Sequence, residues 1–217
     1  HGKFRRQRQM CIRDRACALS VNGKIILTGG RLGGVDLQDV YEFDPSRATW
    51  ETLSPLSYPR SAHRMVFSKG RIWVLGGNSV ICESYNLVTD TWRDEAALNT
   101  ARSWAVAWSS GGDLFMGGGN SPGSDSVEIL REGTDQWVSH HDKLPVPRYG
   151  ADAIVHKDKV YIVAGKYSGS YSRKVYAADL PIPAMNLYFK EGNATAEAEL
   201  STLGIANGSV TLGQLAP

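Results

Sequence analysis

A short apolar run that ends in two glycines recurs along the chain with a period of about 45 residues, which is the spacing of small repeated structural units. The final glycines of successive runs are 47, 42 and 46 residues apart. Looking for such a period first matters because a repeat dictates the whole architecture. The four runs are Ile25–Gly30, Ile72–Gly77, Leu114–Gly119 and Val160–Gly165, the last with Ala164 in place of the first glycine.

Two further landmarks recur in step with the glycines. Arg60, Arg102 and Arg148 each stand 17 residues before the last glycine of their repeat. A tryptophan follows an apolar or aromatic residue by seven positions three times, at Trp50, Trp92 and Trp137. Three landmarks in phase predict that each repeat encodes the same unit.

Between the landmarks each repeat is predicted to form four short strands. In the second repeat these are 62–67, 71–75, 81–86 and 91–94, with turn-forming residues between the third and fourth. The second strand is apolar throughout, which indicates burial on both faces, and no segment has helical spacing. The tryptophans are expected to fill the wedge between the outer edges of neighbouring small sheets. Glycines are expected where the second strand ends, because the chain bends or another backbone approaches there; these are Gly29, Gly30, Gly76, Gly77, Gly118, Gly119 and Gly165.

This combination of landmarks resembles the kelch repeat over residues 16–180, divided as 16–59, 60–101, 102–147 and 148–180. The resemblance implies an all-β fold, a partial kelch-type β-propeller of four-stranded antiparallel blades, with the first strand of each blade lining a central channel. The fourth repeat departs from the pattern at Ala178 and Met185. Closed propellers have about 4 to 8 blades, so we expect this fragment of three to four blades to form an open arc.

The ends of the chain differ from the repeats. Residues 1–15 carry six lysines and arginines against Asp14 alone, and we interpret them as a non-native or disordered basic tail. Residues 181–217 are predicted to be a carboxyl-terminal tail or the start of another segment. The stretch 204–216 resembles segments of bacterial surface proteins and phage tail fibres, so an extracellular or cell-surface location is the expectation.

Charge and cysteine content exclude several classes of partner. The residues after 15 hold 18 basic and 21 acidic side chains, a net −3, so we expect no nucleic-acid binding. Three widely spaced cysteines indicate neither a metal site nor a disulfide framework. The chain lacks an apolar stretch of the roughly 18 residues that a membrane span needs.

Candidate ligand-binding residues come from the resemblance and from the loops. Kelch proteins that bind acidic peptides use arginines at the position of Arg60, Arg102 and Arg148, and charge-assisted bonds to carboxylates suit that role. The alternative is that these arginines satisfy loop carbonyls or pair with neighbouring acids. The loops after the glycine pairs, at 31–38, 78–80, 120–125 and 166–172, are expected to share one face, with Tyr167 and Tyr171 as adhesive residues.

The sequence therefore predicts a non-enzymatic interaction module for a protein or glycan partner, without cofactor or metal. Its histidines do not converge in the repeat register, and no Ser-His-Asp or paired-carboxylate pattern occurs. The alternative that stays open is a carbohydrate-active kelch enzyme, galactose-oxidase-like or sugar-epimerase-like, with its catalytic residues in blades outside this sequence.

Overall fold

The structure, a computed structural model, describes residues 13–120 and 125–180 and the backbone of Lys190–Glu191. Its strands form four antiparallel sheets of four strands each and two separate short hairpins. No helix occurs among these residues, and hence none that is long and apolar enough to cross a membrane. The predicted all-β fold, a partial propeller of four-stranded blades, is confirmed.

The four sheets, which we call blades 1 to 4, follow one another along the chain. Blade 1 contains β1 (Cys17–Val21), β2 (Lys24–Thr28), β5 (Val40–Asp44) and β6 (Thr49–Leu53), and the hairpin β3 (Arg31–Leu32) and β4 (Val35–Asp36) lies between β2 and β5. Blade 2 contains β7 (Arg64–Ser68), β8 (Arg71–Leu75), β9 (Cys82–Asn86) and β10 (Thr91–Glu95). Blade 3 contains β11 (Val106–Ser110), β12 (Asp113–Gly117), β13 (Val127–Leu130) and β14 (Trp137–His140). Blade 4 contains β15 (Asp152–His156), β16 (Lys159–Val163), β19 (Val175–Asp179) and β20 (Lys190–Glu191), with the hairpin β17 (Lys166–Tyr167) and β18 (Ser170–Tyr171).

The first strands of successive blades contact one another, β1 with β7, β7 with β11 and β11 with β15. Each blade is a simple meander in which every strand pairs with the next strand of that blade. The first strands therefore lie innermost, and the blades are arranged side by side around a common axis.

The apolar cores lie between blades, which explains the unbroken apolar second strands. In β8, Ile72 and Val74 face blade 1 and join a core with Ile26 of that blade. Trp73 and Leu75 point to the other side and pack in a core with Met116 of blade 3. Successive strand residues point to opposite faces, so a strand enclosed by two neighbouring blades needs apolar residues at every position.

Apart from one-residue shifts at the ends of β7, β9 and β10, the bounds differ from the sequence prediction at three places. β7 begins at Arg64 rather than at residue 62. Ala62 has a φ of 55°, and its amide nitrogen donates a hydrogen bond to Arg15 O beside blade 1 instead of pairing with strand β8. Residues 13–15, placed in the basic tail by the sequence, contact blade 1 through Arg13. The fourth strand of blade 4 is 190–191, beyond the predicted end of the repeats at 180. Residues 1–12 and Met185 lie outside the described residues.

Candidate functional site

Four arginines make the same side-chain contact in successive blades. Arg60 Nη1 donates to Gly76 O at 3.0 Å, and Arg102 Nη1 donates to Gly118 O at 2.7 Å. Arg148 Nη1 donates to Ala164 O at 2.9 Å. Arg13 makes the equivalent bond, from Nη1 to Gly29 O at 2.9 Å, which adds a fourth member to the three that the sequence singled out. We call Arg13, Arg60, Arg102 and Arg148 the register arginines.

The third strand of each blade supplies a second partner for its register arginine. In blades 2 and 3 this partner is a buried carboxylate: Arg60 Nη2 lies 2.8 Å from Glu83 Oε1, and Arg102 Nη2 lies 3.0 Å from Glu128 Oε1. In blades 1 and 4 the partner is an aromatic ring: the guanidinium of Arg13 lies 5.0 Å from the Tyr41 ring centroid, and that of Arg148 lies 4.5 Å from the Tyr176 ring centroid. Arg13 also has a half-exposed carboxylate partner, because its Nη2 lies 3.4 Å from Asp39 Oδ2. Ion pairs and cation–π contacts thus both stabilise the register arginines, and Arg13 makes one of each.

The sequence-predicted ligand residues Arg60, Arg102 and Arg148 are only 2%, 1% and 2% exposed. Burial lowers the pKa of Arg60, and the nearby Glu83 carboxylate acts in the opposite direction. These contacts are the ones expected under the alternative in which the arginines satisfy loop carbonyls and pair with acids. A direct part in ligand binding stays a prediction.

The glycine pairs join adjacent blades through the backbone. Gly77 N donates to Arg102 O of the next blade at 2.8 Å, and Gly30 N and Gly119 N make the same bond to Arg60 O and Arg148 O, at 2.9 and 2.8 Å. The space is tight: a Cβ on Gly76, which has a φ of 68°, would lie 2.7 Å from Arg102 O. A register arginine is therefore held by its own blade through its side chain and by the preceding blade through its backbone. The remaining glycines of the set are Gly29, Gly118 and Gly165, all with positive φ.

Two of the three landmark tryptophans, Trp92 and Trp137, contact the preceding blade. Trp92 Nε1 donates to Ser54 O at 2.8 Å, and Trp137 Nε1 donates to Ala96 O at 2.9 Å. Both carbonyls belong to residues directly after the fourth strand of the previous blade. Trp50 packs against Phe43 with ring centroids 4.8 Å apart.

A chain of backbone hydrogen bonds runs around the axis two residues after the register arginines. Ala62 N donates to Arg15 O at 2.8 Å, Trp104 N to Ala62 O at 2.9 Å, and Gly150 N to Trp104 O at 2.8 Å. All four residues have φ between 55° and 63°, although only one is a glycine. The Arg15 guanidinium lies 5.7 Å from the Trp104 ring centroid, so a cation and an indole occupy the channel mouth.

Buried polar side chains at the start of β7 join the neighbouring blades. Arg64 donates from Nε to Ala105 O and from Nη2 to Ala151 O at 2.5 Å, which links blade 2 to blades 3 and 4. His63 Nε2 lies 2.7 Å from Thr28 Oγ1 across the boundary of blades 1 and 2. Burial lowers the pKa of His63 to about 3, and Arg60 and Arg64 add to the shift. This histidine is therefore neutral at physiological pH.

The described loops after the glycine pairs, at 31–38, 78–80 and 166–172, lie at the same end of the blades as the channel mouth. Positions 121–124 of the predicted loop 120–125 lie outside the described residues. Bridges join Arg31 to Asp14 and Lys166 to Tyr149, so each hairpin is anchored beside the segment that leads into an inner strand. Tyr167 and Tyr171, at the β17–β18 hairpin, are 48% and 81% exposed. The Lys166 ammonium lies 5.2 Å from the Tyr171 ring centroid. We call this end of the blades the loop face; it carries the β3–β4 and β17–β18 hairpins, Arg15 and Trp104.

The sequence did not single out the residues of the channel mouth or the partners of the register arginines. Tyr41, Glu83 and Glu128 each stand nine residues before a tryptophan landmark, so a positional signal existed. Arg15 and Trp104 share a backbone position but no side-chain chemistry, and a search for repeated residue types cannot find such a pair.

Comparison with known proteins agrees with this geometry. The family model of the Kelch motif matches residues 12–57. Kelch-like protein 35 of Mus musculus is 28% identical over 182 residues, which cover 77% of this chain and 31% of that protein. Beta-scruin of Limulus polyphemus is 24% identical over 143 residues, covering 59% and 16%. The solved structure of YjhT has a TM-score of 0.69 at 15% identity and covers 83% of this chain and 65% of that one.

The blades, their inter-blade cores and the shared axis define a β-propeller. The repeated arginine, glycine and tryptophan contacts agree with the Kelch motif match and with the similarity to kelch-like proteins, so the chain carries kelch-type repeats in a partial propeller. The chain spans about a third of the length of the first relative and about a sixth of the second.

Proposed function

We propose that the chain is a protein-interaction module that binds its partner on the loop face. The single observation that carries this proposal is the cluster of exposed aromatic and cationic groups on a rigid scaffold, of which Tyr171 is the most exposed aromatic residue. Tyrosine, tryptophan and arginine are the residues most enriched at binding hot spots. Loops held by a rigid framework are the usual carriers of recognition.

Two hairpins, β3–β4 and β17–β18, carry exposed apolar and aromatic side chains on the loop face. Leu32 and Val35, at the tip of the β3–β4 hairpin, are exposed, as are Tyr167 and Tyr171 at the β17–β18 hairpin. Arg15 and Trp104 lie at the channel mouth between the inner strands. Under this proposal the partner contacts the β17–β18 hairpin and the mouth, while Arg60, Arg102 and Arg148 act by fixing the loop backbone. A glycan partner is the alternative, since tyrosine rings also pack against sugar faces.

The test compares capture of partners by the wild-type chain and by a Tyr167→Ser, Tyr171→Ser variant. The matched control is Val88→Ser, because Val88 is 93% exposed in the β9–β10 turn at the opposite end of blade 2. A partner identified by mass spectrometry is then measured with purified components. We expect the tyrosine variant to lose at least tenfold in affinity, about 1.4 kcal/mol, and the control to bind as the wild type does.

Two results would count against the proposal. Equal losses in the tyrosine variant and the Val88→Ser control would show that the loop face has no special role. Binding to a glycan array with no binding to any purified protein would replace the protein partner by a carbohydrate.

A further inference from the structure

His140, His141 and Asp142 form a compact group of metal-ligating side chains at the end of β14. One ligand atom from each residue lies within 4.8 Å of the other two. His141 Nε2 is 3.2 Å from Asp142 Oδ1, and His140 Nδ1 is 3.9 Å from Asp142 Oδ2. The two imidazole rings are stacked, with centroids 4.8 Å apart. Because His140 pairs with Val127, the group lies on the loop face, at the outer strand of blade 3.

The donor set and its spacing suit a transition-metal ion. Zinc bonds imidazole nitrogen and carboxylate oxygen at about 2.0–2.2 Å, so two ligands of a tetrahedral site are about 3.3 Å apart. The His141 to Asp142 separation of 3.2 Å already has this value. Two imidazoles favour zinc, copper or nickel over magnesium and calcium, which prefer oxygen ligands only.

The group combines one buried ligand, His140, with one that is accessible to solvent. The His140 ring packs edge-on against Phe115 and accepts a hydrogen bond from Asp142 N at 3.2 Å, so its orientation is set. His141 is the accessible member, with a side chain that is 56% exposed. An ion can therefore enter from solvent, and a coordination position would stay open towards the loop face.

The neighbouring charges are compatible with a bound cation. Lys143 follows the group directly, but its ammonium lies 3.4 Å from Asp125 Oδ2. This ion pair partly neutralises the nearest positive charge. Arg131 is a second cation close enough to act on His140, and its guanidinium in turn lies 3.5 Å from Asp113 Oδ2.

We propose that His140, His141 and Asp142 bind one divalent transition-metal ion of the zinc class, with a water molecule or a group of a partner as the fourth ligand. The ligand nitrogen of His140 is Nδ1, which lies 3.9 Å from Asp142 Oδ2, and the ion replaces the hydrogen bond that this nitrogen accepts from Asp142 N. This site does not depend on the proposed protein interaction, because it follows from the ligand geometry alone.

The test uses the full 217-residue chain, freed of metal with a chelator and titrated with zinc chloride by isothermal calorimetry. His141→Gln and Asp142→Asn each remove one ligand, and His156→Gln is the matched control because His156 lies on β15 of blade 4. We expect a site with one zinc per chain, weakened about tenfold or more in the two ligand variants and unchanged in the control. Circular dichroism of each variant verifies that the fold is retained.

Three outcomes would overturn the assignment. The first is the absence of zinc binding by the folded wild-type chain. The second is binding that is undiminished in both His141→Gln and Asp142→Asn, which would place the ion elsewhere. The third is an equal loss in the His156→Gln control.

Discussion

Replacement of Arg102 by methionine tests whether the register arginines hold the blades together. Arg102 and Glu128 have side chains that are 1% and 2% exposed and lie 3.0 Å apart. Methionine keeps the apolar stem but leaves the Glu128 carboxylate without its counter-charge, and breaking a buried pair in this way costs about 3–5 kcal/mol. The variant also loses the bonds to Gly118 O at 2.7 Å and Ser126 O at 3.2 Å.

Arg148→Met is the matched comparison, because its guanidinium contacts a ring instead of a carboxylate. Its loss removes the bond to Ala164 O and the contact with Tyr176. A charged hydrogen bond contributes about 1.5–3 kcal/mol, and methionine retains part of the packing on the ring. We therefore expect a smaller loss for Arg148→Met than for Arg102→Met.

A second change separates the buried charge from lost packing. Glu128→Gln in the Arg102→Met background removes the orphaned charge, yet it keeps an acceptor for Asn99 N, which lies 2.6 Å from Glu128 Oε2. We expect the double variant to regain about 2 kcal/mol of the free energy of unfolding, because the penalty for an unpaired buried charge disappears. Urea denaturation followed by tryptophan fluorescence gives these values at constant m. The reasoning is refuted by a double variant that is less stable than Arg102→Met, or by equal losses in Arg102→Met and Arg148→Met.

Three further predictions concern other inter-blade contacts. The pKa of His63 falls from 6.5 to about 3 on folding, so between these pH values the unfolded chain binds a proton that the folded chain does not. The free energy of unfolding is therefore highest above pH 6.5 and is lower by about 2 kcal/mol at pH 5. Urea denaturation above pH 6.5 and at pH 5 should show a smaller pH-dependent loss in His63→Gln than in the wild type, and an identical pH dependence would contradict the assignment. Trp92→Phe should cost about 1 kcal/mol because Ser54 O loses its donor, measured by thermal unfolding; no change would mean that the bond contributes nothing. Gly77→Ala should destabilise the chain by at least about 1 kcal/mol more than Gly133→Ala, since a Cβ at Gly77 would lie 2.9 Å from Ser61 O while Gly133 has open space; equal costs in urea titrations would argue against the close approach.

The fold could be predicted because its landmarks are periodic. A strand enclosed by two blades must be apolar at every position, as in β8, and the chain must turn at a fixed point after it, so the same residue types recur at the same spacing. The bounds were less predictable where neighbouring blades decide them. The sequence pattern predicts that Ala62 belongs to a strand, yet its amide nitrogen donates a hydrogen bond to Arg15 O of the preceding blade.

The particular third-strand partner of each register arginine could not be predicted by counting along the chain from the arginine. The loops after the glycine pairs vary in length, so the distance along the chain from an arginine to its third-strand partner changes from blade to blade. Arg60 is followed by Glu83 after 23 residues, whereas Arg148 is followed by Tyr176 after 28. A carboxylate in one blade and an aromatic ring in another can contact the equivalent guanidinium. Because these two residue types differ in chemistry, a sequence comparison does not reveal that their positions are equivalent.

Residue-level amide hydrogen exchange of Ala62, Trp104 and Gly150 tests most directly whether the four sheets surround one axis. These amides lie outside strands, and each donates to a carbonyl of the preceding blade, at 2.8, 2.9 and 2.8 Å. The expected result is protection comparable to that of amides inside β8. The contrary result is that these three amides exchange as rapidly as those of an exposed turn such as 88–89 while the amides of β8 stay protected. That result would show that the sheets form without assembling around a shared channel.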